Sequence, residues 1–94
     1  MSYNGWTNYE TWNVALWIDD EEGMYYEARE IVLDNWEDER PWTAGETLKT
    51  WIEELMPDLG ASMWSDLLTA ALSEVNWTEI AEHYYEDDRE EDDD

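Results

Sequence analysis

The chain has 94 residues, with 27 Asp and Glu against four Lys and Arg, a formal net charge of −23, eight Trp, six Tyr and no Cys. That length makes one domain with a modest core. The missing Cys excludes a disulfide framework and a zinc-finger pattern, and the acidity opposes direct binding to a phosphate backbone.

Asn4-Gly5 marks a turn in the entry segment. Thr7 followed by Glu10 fits a capping box, which predicts a first helix over about Asn8 to Ile18. Tyr9, Trp12 and Leu16 share one side, Val14 and Ile18 another, and Ala15 and Trp17 fill much of the rest. An element apolar nearly all round is expected to be buried, so this helix is predicted to be the central one. Asn13 within it needs a hydrogen-bond partner if buried.

A second helix is predicted over Glu21 to Trp36, with Met24, Ala28, Ile31, Val32 and Trp36 inward. Residues 37–43 read as a linker, because Pro41 disfavours helix at Arg40. A second capping box, Thr43 with Glu46, predicts a third helix with the stripe Leu48, Trp51, Ile52 and Leu55, ended by Pro57 and Gly60. Ser62 is placed to cap a fourth helix over Met63 to Val75, with Trp64, Leu67, Leu68, Ala71, Leu72 and Val75 inward. Asn76 with Glu79 is placed to cap a fifth, in which Trp77, Ile80, Ala81 and Tyr84 repeat at helical spacing. Residues 86–94, EDDREEDDD, bury nothing and are expected to be a disordered acidic tail. The expected fold is all-α, a compact bundle of about five short helices in a single domain over residues 1–85.

NGWTNYETWNVALWID, Asn4 to Asp19, resembles the opening of small uncharacterised proteins of phages and other mobile elements. ALSEVNWTEIAEHY, Ala71 to Tyr84, is a weaker echo. The resemblance implies a setting, and no catalytic residue comes with it.

Two rows of carboxylates are the candidate binding feature. Glu27, Glu30, Asp34 and Glu37 fall at i, i+3, i+7 and i+10 of the second helix, a row about 15 Å long. Glu79, Glu82 and Glu86 form another on the fifth. Neighbours in such rows stand roughly 5–6 Å apart, and a duplex carries one phosphate per about 3.4 Å of axis on each strand. Two rows on neighbouring helices would imitate that lattice. An ordinary solvated face mixes both signs, whereas only Arg29 and Arg89 lie near these rows. The expected function is a non-catalytic inhibitor that mimics DNA and occupies the site of a basic DNA-binding protein. A host defence enzyme, such as a restriction enzyme or CRISPR effector, is the target the resemblance implies.

The alternative is an acidic adaptor or structural protein, its acidity serving solubility or a halophilic setting, that binds a protein partner through a patch near Trp42. Base stacking on the aromatics is disfavoured without a basic groove. His83 is the sole histidine; with Glu79, Glu82 and Glu86 around it, it reads as a surface residue among carboxylates, and no metal or cofactor is expected. Enzymatic function finds no nucleophile with a base and no phosphate loop. A secretory pattern and an apolar run of about 20 residues are both lacking, so the expected location is the cytoplasm, away from membranes.

Overall fold

The computed structural model describes residues 3–56, 60 and 62–92, with side chains described as far as Asp87. It comprises five helices: α1 (Tyr9–Asp20), α2 (Glu22–Asn35), α3 (Pro41–Leu55), α4 (Met63–Ser73) and α5 (Trp77–Asp92). Among the described residues the only β pairing is an isolated bridge between Tyr3 and Trp6. Asn4 and Gly5 both take positive φ there, 48° and 89°, which suits the predicted turn. No described helix is long and apolar enough to cross a membrane.

The central helix is α5, not α1. Trp77, Ile80, Ala81 and Tyr84 are all buried, whereas α1 buries only Thr11, Ala15 and Ile18. Tyr9, Leu16 and Trp17 of α1 are exposed. An apolar circumference therefore did not mean a buried helix: the core takes one face of α1, Trp12 and Val14 are half-buried, and Tyr9, Leu16 and Trp17 stay in solvent. α2 adds Ala28 and Val32 to the core, and α3 adds Ala44, Gly45 and Leu48. Leu55, at the end of the expected α3 stripe, is exposed.

The close pair is α3 with α5, and Gly45 makes it close. A Cβ at Gly45 would stand 2.9 Å from both the Thr78 nitrogen and the Trp77 carbonyl carbon. The glycine lets one helix rest on the first turn of the other, where any larger residue would press on backbone.

Helix starts differ in detail from the capping boxes. Asn8, not Thr7, caps α1: its Oδ1 accepts from the Thr11 amide at 2.9 Å. The Thr43–Glu46 box does not form, because α3 begins two residues earlier at Pro41. Proline is preorganised for the first helical position, where its missing N–H costs nothing. The linker is accordingly shorter than 37–43, and Trp42 lies on α3. Ser62 caps α4 as expected, accepting from the Ser65 amide at 3.3 Å. Asn76 Oδ1 accepts from the Glu79 amide at 3.1 Å at the start of α5.

α4 is turned differently from its prediction. Leu72 is buried and Leu68 half-buried, but Met63, Trp64, Leu67 and Ala71 are exposed. The expected acidic tail from Glu86 falls mostly beyond the described side chains. Within them, the Asp87 carboxylate accepts from the Tyr25 hydroxyl.

Candidate functional site

The starts of α1 and α5 interlock through polar side chains. Thr11, fully buried, donates its hydroxyl to Asn8 Oδ1 at 2.6 Å and accepts from the Asn76 amide at 2.8 Å. Asn76 Nδ2 donates to the Thr7 hydroxyl at 3.2 Å, and Asn8 Nδ2 donates to the Glu74 carbonyl at 2.7 Å. Glu79 completes the lock by accepting from the Thr7 amide at 3.0 Å. The capping-box chemistry predicted for Thr7 with Glu10 is thus present, but its carboxylate comes from α5. Asn13, half-buried, donates to the Tyr9 hydroxyl at 3.1 Å.

This lock places Trp6 against α5, with its ring 5.2 Å from that of His83 in an edge-on arrangement. Trp6, Gly5, Glu79, Glu82, His83 and Glu86 line an open hollow of about 320 Å³. Among the described residues no Lys or Arg lines it. The acidic row of α5 therefore has a concave floor with two aromatic rings, which its spacing alone did not reveal. Glu82 and Glu86 are exposed, while Glu79 is half-buried because it holds Thr7. Over Glu79 to Glu86 the row is about 10 Å long.

The α2 row is plainer. Glu27, Glu30 and Asp34 are exposed on one side of the helix. Glu37 does not continue the row as expected, because α2 stops at Asn35 and Trp36 takes extended backbone. Trp36 stacks on Tyr85 at 4.0 Å and donates Nε1–H to Asp38 at 2.9 Å. That stack turns the chain away before Glu37. Arg29 is half-buried, with its guanidinium 5.6 Å from the Tyr25 ring.

The two rows face apart. α2 meets α5 through Tyr25, whose ring lies 5.7 Å from that of Tyr84, and through the Trp36–Tyr85 stack. At about 100° per residue, Glu27, Glu30 and Asp34 lie on the far side of α2 from Tyr25. Glu79, Glu82 and Glu86 likewise lie on the far side of α5 from Tyr84. The helices are neighbours, as expected, but the rows do not run side by side as two strands would.

Tyr84 anchors this arrangement. It is buried and donates to Asp19 Oδ1 at 2.6 Å, tying the end of α1 to α5. Burial, and then the hydrogen bond to the Asp19 carboxylate, push its phenol well above the usual tyrosine range. No three His, Asp or Glu among the described residues are grouped to hold a metal ion.

These features define a small all-α domain with acidic faces turned outward. The chain belongs to a family of unknown function, DUF7249, whose model matches residues 1–91. No curated protein and no solved structure matches it.

Proposed function

We propose that this protein is a non-catalytic acidic inhibitor that occupies the DNA-binding site of a basic protein, with the α5 face as its principal contact. The observation that supports the reading is the row Glu79, Glu82 and Glu86 around a hollow that, among the described residues, no Lys or Arg lines. A Lys or Arg that normally holds phosphate would meet carboxylates there, with the Trp6 ring beside them for a cation–π contact. Glu79 is already engaged with Thr7, so Glu82 and Glu86 are the groups offered to a partner.

The α2 row, Glu27, Glu30 and Asp34, faces the opposite way and adds to the attractive field at long range. Glu37 sits apart from it. In this reading the protein works in the cytoplasm of a host cell, against a defence enzyme such as a restriction enzyme or CRISPR effector. It binds neither nucleic acid nor membrane.

The test is a competition assay between this protein and DNA for a basic partner captured from host lysate, at two salt concentrations. Glu82→Gln with Glu86→Gln keeps shape and helix propensity. The pair is expected to slow association and flatten the salt dependence, since charge complementarity acts mainly on encounter. The α2 set, Glu27→Gln, Glu30→Gln and Asp34→Asn, is expected to do less. A partner that holds DNA and this protein together would remove the mimicry.

The adaptor reading keeps one supporting observation: Trp42 is half-exposed on α3. It requires that Trp42→Ala weaken binding more than the amide changes do.

A further inference from the structure

A second surface lies outside both acidic rows, between α1 and α4. Val14, Leu68, Ala71, Leu72 and Val75 give a groove of about 200 Å³ an apolar floor, and Glu10 stands on its wall. Each helix continues the groove's stripe onto an exposed tryptophan. On α4 the positions are Trp64, Leu68 and Ala71, at i, i+4 and i+7, with Val75 just past its C-terminal end, and Trp64 is 63% exposed. On α1 they are Glu10, Val14 and Trp17, at i, i+4 and i+7, and Trp17 is 67% exposed. The sequence predicts Trp64 and Ala71 to face inward, and both are exposed.

We infer that the α1–α4 groove docks an amphipathic basic helix of a partner protein, its apolar face on Leu68, Ala71 and Val75 and its cations toward Glu10. Three features select this occupant. The groove is smaller than the roughly 300–1,000 Å³ of an ordinary small-molecule site, and it is open along two helices. A groove between helices accepts the ridge of a third, with anchors at i, i+3, i+4 and i+7. Charge decides the rest: a second copy would bring another formal −23 to the same face, whereas a basic helix is drawn in. Glu10 lines the groove. This surface is separate from the α5 hollow, so the inference does not depend on DNA mimicry.

The probe is a fluorescently labelled synthetic helix with Leu at i, i+3, i+4 and i+7 and Lys elsewhere. Its controls are a scrambled isomer of identical composition and a copy with Glu in place of Lys. Anisotropy titrations at physiological salt are expected to show the amphipathic Lys peptide binding roughly tenfold tighter than its scrambled isomer. The Glu peptide is expected not to bind. Ala71→Gln places a polar side chain over the floor at an exposed position. With an unchanged circular-dichroism spectrum, it is expected to abolish the preference while leaving scrambled-peptide binding as it was. Trp64→Gln is expected to reduce the preference, and Glu82→Gln with Glu86→Gln to leave it intact. Equal binding of the two Lys isomers would mean bulk charge alone and would overturn the inference. So would binding of the Glu peptide, an unaffected preference in Ala71→Gln, or a dimer of the free protein that Ala71→Gln dissociates.

Discussion

α4 and α5 look alike in sequence and end in opposite situations. Each has a tryptophan in its first turn, an Asn or Ser cap, and apolar residues at helical spacing. Trp77 is 8% exposed and Trp64 is 63% exposed. The difference lies in what grips each helix. α5 receives Thr7 and Thr11 at its start, the backbone of α3 at Gly45, and Asp19 at Tyr84. α4 is held only at its C-terminal end, by Leu72, Val75 and two hydrogen bonds, from the Trp77 indole to the Leu72 carbonyl and from Asn8 to the Glu74 carbonyl. A chain this short has more apolar side chains than core volume. Polar interlocks and close backbone approaches then decide which helix is central.

The sharpest break of this contrast is a pair of truncations. Ile80→Ala, in a fully buried position of α5, is expected to cost about 2–5 kcal/mol. Leu67→Ala, exposed on α4, is expected to cost well under half of that. Denaturant unfolding of both variants settles it, and equal losses would end the distinction. Against a total stability of about 5–15 kcal/mol, the first change alone is a large share.

Gly45→Ala sets two effects against each other. Alanine favours a helix by about 1 kcal/mol over glycine. Overpacking against Thr78 costs about 1–3 kcal/mol, and here the neighbour is backbone that cannot swing aside. A lowered melting temperature is expected, and a raised one would show that α3 and α5 are not so close.

Thr11→Val removes a donor and an acceptor from a buried site. It is expected to cost about 1–3 kcal/mol, because the Asn76 amide loses its partner. Hydrogen exchange should quicken first at Asn76 and Glu79, with the α2 amides following only through global opening.

Tyr84 sharpens the comparison through pH. Its folded-state pKa lies above the unfolded value, so its contribution is complete below about pH 10 and is lost as pH rises further. Tyr84→Phe is expected to cost about 0.5–1.5 kcal/mol at neutral pH and to make alkaline unfolding less steep. Smallest of all, Trp64→Gln is expected to change stability by no more than about 0.5 kcal/mol, as judged by the same melting curves.

The helices themselves were legible, since apolar spacing, Ser62, Asn76 and the Asn4-Gly5 turn all act locally. What periodicity does not carry is which apolar face wins the core. It gave α1 an apolar circumference and α4 an inward Trp64, and tertiary contacts reversed both. The carboxylates of α5 share a face by their spacing alone, so that half of the hollow was readable. Trp6 was not, because it arrives from a turn over 70 residues away, held by the bond between Thr7 and Glu79. Glu37 was misplaced because the Trp36–Tyr85 stack ends α2 early, a contact between residues distant in the chain.

The interlock also sets a clock on synthesis. Thr11 must wait for Asn76, 65 residues later, and Thr7 for Glu79, 72 residues later. At about 5–20 residues per second, a ribosome leaves the first helix without its lock for roughly 3–15 s. A helix of 12 residues is marginal alone, and this one carries Trp12 and Trp17. Nascent chains in that interval present sticky aromatic surface to one another. Their growing negative charge keeps them apart, so the acidity guards the chain before the fold exists.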